Sequence, residues 1–446
     1  MRNIASFKSL QNSGRIVAFF YLKVKRLQVF SDYNLPMQKL PVLIFFLFVH
    51  LFGYEEYTLR LLDSKTLAPI EGAKSVIGTS YYKSDANGSF HIDIPVTELE
   101  VKAPGYTTRT ITLDANRTIL MEPFDIKALY LSFWAAGTKK FTSRIFKLID
   151  ETEINAVVID VKNEYGFISY PGSVPEARAA GAYETVRIRE MGAFLKRLKE
   201  KGIYTIARIV VFKDDRLATH RPDLALHDQS GAVWRNGEDI GWSDPFLEEV
   251  HDYNIAIAVE AAKEGFDEIN LDYIRFPGAG RLRYAKRNTK KNRVAAIDAF
   301  LGKMQRALDR TGVMISLDTY GYVCWNENDT GIGHQLADMG RYADYLSPML
   351  YPSSYHLGIP GYEESLKHIY RLIHDTLQEG YRRTLIPRRR FRPWLQTFPD
   401  YAFDKRKFGG WEIREQINAA EDFNASGWML WHPGSYFYPH GLKKAD

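Results

Sequence analysis

The sequence is poor in the residue types that most enzyme classes depend on. A single cysteine, Cys324, stands among 446 residues, which excludes an intrachain disulfide and a cysteine-based metal site. The 11 histidines form no H-E-x-x-H or similar ligand spacing, so no metal is expected. G-x-S-x-G is missing, and with it the serine-hydrolase elbow. No glycine-rich phosphate turn follows any apolar run, which argues against a doubly wound open sheet.

Charge of one sign is also lacking where it would matter. The net charge of +5 comes from 59 basic and 54 acidic residues. Residues 1–36 hold six of the basic residues (Arg2, Lys8, Arg15, Lys23, Lys25 and Arg26) and one acid, Asp32. Removing them leaves 53 of each sign. The body of the chain is therefore neutral, and no nucleic-acid partner is expected.

Long hydrophobic runs are limited to LPVLIFFLFVHLFG, residues 40–53. This is short for a membrane span, which takes about 20 residues, but it suits the apolar core of a signal peptide. Met37-Gln38-Lys39 in front of it makes a compact positive start. Met37 then reads as the initiator, with a mis-called start ahead of it, and the protein as exported to the periplasm or cell envelope. No small-x-small cleavage site is evident, so membrane anchoring through residues 40–53 fits as well, and so does a core helix.

What is present divides into two bodies. Residues 54–124 read as short alternating strands with turns between them, a small all-β sandwich. The phrases APIEGA, SDANGSF and VKAPGYTTRTITL resemble the carboxypeptidase regulatory-like domain, whose fold is transthyretin-like. Asp85 and Asn87 begin something like a calcium loop, but no downstream glutamate completes it, and a turn is the expected reading.

From residue 126 to about 440 strands alternate with helices. Eight apolar runs read as strands: 127–134, 156–164, 204–212, 268–276, 313–320, 345–352, 391–398 and 427–433. Asp244 and Pro245 read as the N-cap and first turn of a helix. Eight β-then-α units predict an α/β fold of the (β/α)8 TIM-barrel class.

In such a barrel the C-terminal strand ends share one face, where polar residues serve function. Period two places Asp160, Lys162 and Glu164 on one side of the second strand. The third strand offers Arg208, the fourth Asn270 and Asp272, the fifth Ser316 and Asp318. Tyr351, Gln396 and Trp431 end the last three. Any one of these acids alone could be a helix cap or an ion-pair partner. Together, and in phase, they predict carboxylates converging on one pocket.

Paired carboxyls without a thiol, serine elbow or metal motif point to glycoside hydrolysis. Neighbouring strands lie about 4.8 Å apart, close to the roughly 5 Å of a retaining pair. Asp272 is therefore expected as nucleophile and Asp318 as general acid/base, with Asp160 and Glu164 in reserve. Arg208 and Arg275 are expected to keep neighbouring carboxylates ionised or to position substrate, beside Asn270 and Gln396. Trp242, Trp325 and Tyr355 read as surface platforms for sugar rings, with Tyr351 and Trp431 near them. The basic run RLRYAKRNTKKNR, 281–293, favours an anionic polysaccharide if it is more than a solvated face. A second basic run, 382–392, should lie on the opposite face.

The segments EINAVVIDVKNEYG, INLDYIRFP, SPMLYPSSY, RPWLQTF and GWMLWHP resemble a bacterial domain family of unknown function grouped with glycoside hydrolases. That resemblance covers residues 126–435 and implies a TIM barrel that cleaves sugars. It implies no particular catalytic pair. Two alternatives stay open: a non-catalytic glycan-binding envelope protein on the same scaffold, and another carboxylate-dependent carbohydrate reaction such as deacetylation or lyase chemistry.

Overall fold

Runs of β-branched and aliphatic residues such as AVVI, YTIARIV and MISL leave little choice but strands buried on both faces. In the computed structural model, which describes residues 57–445 except 95, 114–116 and 279, they form a closed parallel barrel. Met37 and the apolar run 40–53 lie outside the described residues. Among the described residues no helix is long and apolar enough to cross a membrane.

Seven short strands come first: β1 (Tyr57–Asp63), β2 (Lys74–Ile77), β3 (Ser80–Lys83), β4 (Ser89–Ile92), β5 (Glu98–Val101), β6 (Arg109–Thr112) and β7 (Thr118–Met121). They make a three-stranded sheet in the order β4-β1-β7 and two hairpins, β2-β3 and β5-β6. Asp85 is a turn residue, since its Oδ1 accepts the backbone N–H groups of Asn87 and Ser89 at 2.9 and 2.8 Å. No glutamate is involved.

The barrel strands are β8 (Ile126–Leu131), β9 (Ala156–Lys162), β10 (Tyr204–Val210), β11 (Glu268–Asp272), β12 (Met314–Tyr320), β13 (Tyr345–Leu350), β14 (Trp394–Gln396) and β15 (Gly427–Trp431). They pair in sequence order, and β15 closes on β8. Closure needs a glycine at the seam: Gly427 has φ of +96°, and a Cβ there would sit 2.0 Å from the Ile126 carbonyl oxygen. Strands begin at or within a few residues of where the apolar runs begin and end earlier, as the chain turns out of the barrel.

One helix starts later than the sequence reading has it. Asp244 and Pro245 form a turn ahead of the helix Glu248–Glu264. The Asp244 carboxylate accepts the N–H of Phe246 at 2.9 Å and that of Ala285 at 2.6 Å. It therefore ties the loop after β11 to the loop after β10. The helix itself ends on Gly265, left-handed at φ +105°, as glycine permits.

The small sheets pack against the N-terminal end of the barrel. Lys74 reaches Asp344 at 2.6 Å and the Val313 carbonyl at 2.8 Å. Tyr345, inside that end, accepts the N–H of Gly105 at 2.9 Å. The basic run 382–392 lies here too and is consumed structurally. Arg389 donates to the Gly105 carbonyl at 2.6 Å and pairs with Asp125 at 2.9 Å. Arg392 is fully buried against Glu268. The opposite, C-terminal end is left to the loops.

Candidate active site

Inward-facing positions at the C-terminal strand ends carry a connected polar cluster. Register aligns Asp160 on β9 with Arg208 on β10, and Arg208 with Asn270 on β11. Asn270 is aligned in turn with Ser316 on β12. Two residues further along, Asp272 and Asp318 are neighbours across the β11–β12 pair.

Arg208 bridges two acids. Its Nη1 donates to Asp160 Oδ1 at 2.6 Å, while Nε and Nη2 donate to Asp272 Oδ2 at 3.1 and 2.6 Å. A forked guanidinium suits such a bridge where a lysine would not. Asp160 is further held by the Tyr130 hydroxyl at 2.5 Å and the Phe133 N–H at 3.2 Å. Burial pushes the Asp160 carboxyl up; Arg208 pulls the other way, and the charge of Glu164 adds to the rise.

Among the described residues no cation forms an ion pair with Asp318, although the charge of Arg208 reaches it and opposes the rise in its pKa. Its Oδ1 accepts the Asn270 Nδ2–H at 2.8 Å and the Trp394 indole N–H at 2.7 Å. Burial, then the charge of Asp272, drive this carboxyl well above its ordinary value. The two neighbouring acids thus have different partners: Asp272 is paired with Arg208, and Asp318 is hydrogen-bonded to an amide and an indole. Both are enclosed, Asp272 at 6% and Asp318 at 2% exposure.

The residue after Asp272 is strained. Tyr273 sits at φ +51°, a left-handed conformation that costs a bulky residue of order 1–3 kcal/mol. The strain turns its N–H onto Asp272 Oδ1 at 2.6 Å. Its ring lies about equally far from two cations, Lys213 and Arg275, each 5.1 Å from the centroid. Arg275 also stands 5.1 Å over Trp242. Its one hydrogen bond among the described residues goes to the Phe276 carbonyl at 3.2 Å, and burial lowers its pKa. The charge of Asp272 acts on Arg275 in the opposite sense to burial.

Several expected site residues lie elsewhere. Lys162 does not share a face with Asp160: the β9–β10 register shifts between Arg208 and Ile209, so that Ile209 pairs with Lys162. This bulge turns Lys162 outward, where it is sealed against Asp214 and Asn254, each at 2.7 Å. Glu164 follows in a turn, half-buried. It has no hydrogen bond among the described residues, and its charge is felt by Asp160, Tyr130 and Arg208.

Trp242, Trp325 and Tyr355 are not surface platforms. Trp242 and Tyr355 are 2% and 1% exposed, and Trp325 donates its indole N–H to Thr376 on the helix Ile369–Thr384 at 2.9 Å. Large rings in loops were drawn into packing, as their apolar area favours. The exposed aromatics after the strand ends are Trp134, Tyr165, Tyr401, Phe403, Tyr436 and Tyr438. Gln396 is also spent internally: its amide accepts from Ser353 N–H at 3.0 Å and donates to Ser353 Oγ at 2.7 Å. It clamps the loop after β13.

Tyr351 and Trp431 do face the cluster. The charges of Asp318 and Asp272 add to the burial that raises the Tyr351 phenol. Trp431 stacks on Tyr130 at 3.9 Å and lies under Arg208, 5.0 Å from its ring centroid. Tyr130, which holds Asp160, is not among the residues read from the sequence, and Trp394, an aromatic at a strand end, serves as a hydrogen-bond donor to Asp318 rather than a ring platform. A signal for Tyr130 existed: a phenol at an inward position of an otherwise aliphatic strand. Part of the basic run 281–293 is tied down, Arg293 by Asp329 at 2.6 Å and Arg283 by the Gln229 carbonyl. Among the described residues no group of three or more His, Cys, Asp or Glu is placed to hold a metal.

A closed (β/α)8 barrel with carboxylates gathered at the C-terminal strand ends is the architecture of many glycoside hydrolases. Residues 128–437 match the family described as "Putative glycosyl hydrolase domain", and the chain belongs to that family. No curated protein matches the sequence. Among solved structures, a hypothetical protein from Ruminiclostridium thermocellum is 34% identical, over 43% of this chain and 96% of that one, with a TM-score of 0.39. The PgaB (BpsB) glycoside hydrolase domain from Bordetella bronchiseptica shares the fold at 13% identity and a TM-score of 0.51, over 70% of this chain and 94% of that one. A class V chitinase from Pseudomonas fluorescens aligns at 11% identity and a TM-score of 0.42, over 70% and 96% of the two chains.

Proposed function

We propose that this protein hydrolyses O-glycosidic bonds of a polysaccharide with a pair of carboxyls, and that it retains anomeric configuration. The observation carrying this reading is the contrast between neighbouring acids. Burial and the charge of Asp272 drive the Asp318 carboxyl well above its ordinary value, while Asp272 is matched by the Arg208 guanidinium. Asp318 Oδ1 already accepts two hydrogen bonds, which leaves Oδ2 to carry the proton. That proton passes to the glycosidic oxygen as Asp272 attacks the anomeric carbon. Asp318, now ionised, then takes a proton from the water that releases the sugar. The strand spacing of about 4.8 Å fits the roughly 5–5.5 Å of a retaining pair.

Asp160 works through Arg208, holding it in place, and Arg275 binds substrate. Glu164 is the reserve acid/base. A second reading, glycan binding without turnover, draws support from the low exposure of both acids. The test is a panel of bacterial surface polysaccharides offered to the wild-type chain and to Asp272→Asn, with reducing ends and product masses followed. Cleavage by the wild type alone, with binding kept in the variant, is the expected result. Binding with no cleavage by either protein would establish the second reading. Products lacking the added water would point to a lyase.

On the same footing, the strands before the barrel are a carboxypeptidase regulatory-like domain. Export through the run 40–53 places the enzyme at the cell envelope.

A further inference from the structure

Beside the carboxylate cluster lies a separate cavity of about 150 Å³, between the loops that follow β14 and β15. That is an order of magnitude above the roughly 10–15 Å³ that admits one water, so it takes a ring-sized ligand. Its lining includes Lys407, Phe408, Leu430, His432, Tyr436 and Tyr438. Alternation along β15 sets its place. Leu430 and His432 face this cavity, while Trp431 between them stacks on Tyr130 under Arg208. The cavity and the carboxylate cluster therefore lie on opposite faces of the β15 strand end.

The chemistry of the lining is one-sided. Tyr436 and Tyr438, exposed at 46% and 57%, offer aromatic rings, with the Arg144 guanidinium 5.1 Å from the Tyr438 centroid, while Phe408 is buried with Leu366 and Ile369. His432 has a defined tautomer: its Nδ1 accepts the Gly434 N–H at 3.1 Å, so the ring proton sits on Nε2 and can be donated. Lys407 is exposed and has no carboxylate partner among the described residues. Glu412, one turn into the helix Gly410–Asp422, is folded back onto the Gly409 N–H at 2.9 Å. Among the described residues no carboxylate lines the cavity.

We propose that this cavity is a substrate subsite for an acidic sugar residue, a uronate, stacked on Tyr438 and Tyr436 with its carboxylate met by Lys407 and His432. The subsite rests on the hydrolase reading for its place along the substrate. Its recognition chemistry stands on the lining alone. A neutral sugar would leave Lys407 idle, whereas a carboxylate supplies the missing partner.

The test uses the full chain carrying Asp272→Asn, so that binding is read without turnover. Pairs of oligosaccharides with the same backbone, one neutral and one oxidised to uronate at C6, are titrated calorimetrically. Uronate forms should bind at least tenfold more tightly than their neutral partners. Lys407→Ala should erase that preference, Lys407→Arg should restore most of it, and Tyr438→Ala should weaken both forms. Lys407 and Tyr438 are exposed, so these variants keep the fold, which circular dichroism checks. Equal affinity for both forms, no binding of either, or a preference untouched by Lys407→Ala would overturn the subsite. Hydrolysis by the wild type is scored separately: Lys407-dependent binding without cleavage would sink the hydrolase reading and leave the acidic-sugar site standing.

Discussion

Replacing Asp318 by asparagine separates the two states in which this carboxyl can exist. The hydrogen bonds from Asn270 at 2.8 Å and Trp394 at 2.7 Å both go to Oδ1. The amide oxygen of asparagine accepts them equally well, and its NH₂ stands where a protonated Oδ2 would. Neutral therefore replaces neutral, and no buried group loses its partner. In the wild type the folded-state pKa is raised well above the ordinary 3.8 by burial and by Asp272. The folded chain then binds more protons than the unfolded one, so stability falls as pH rises. The contribution is complete below 3.8 and declines by about 1.4 kcal/mol per pH unit until the folded carboxyl ionises. Asp318→Asn carries no such loss. Urea unfolding of both proteins from pH 4 upward should show the variant gaining on the wild type along that slope, then levelling off. At the same time its glycosidase activity should vanish. Parallel stability curves would refute the proton on Asp318. So would a variant destabilised at neutral pH by the roughly 1.5–3 kcal/mol that a lost charged hydrogen bond costs.

Two further substitutions separate site from scaffold. Arg208→Met leaves Asp160 and Asp272 buried without their cation, and urea unfolding should show a loss of about 3–5 kcal/mol together with activity; an unchanged midpoint would mean that the bridge contributes nothing. Lys162→Met strands the buried Asp214 and should also cost about 3–5 kcal/mol. Because Lys162 points out of the barrel, kcat of the folded fraction should be unaffected, and a loss of kcat at full stability would place Lys162 in the site after all.

The proposed chemistry rests on an uneven sharing of charge. Arg208 serves two acids, so Asp160 and Asp272 share one positive charge. Asp318 is left to face Asp272 with only an amide and an indole for company. A second cation there would favour the ionised form of Asp318 and remove the proposed proton donor.

The barrel itself was legible along the chain. Strand periodicity, β-branched runs and the count of eight are local properties of consecutive residues, and they are what build a parallel barrel. The same alternation placed Asp160, Arg208, Asn270, Asp272 and Asp318 at one end, because period two survives wherever a strand is regular. It failed at Lys162, where one bulged residue on β9 reversed the face, and nothing in VVIDVKNE announces a bulge. Tertiary packing decided the rest. Whether Trp242 or Tyr355 is a platform or a core residue depends on which loops cover it, and those loops come from distant parts of the chain. The partners were equally out of reach: Asp272 and Asp318 look alike in sequence, and only the fold brings Arg208 from a neighbouring strand to one and Trp394 from a distant strand to the other. Local pattern sets the strands. Long-range contact sets the dielectric and the partners, and through them the chemistry.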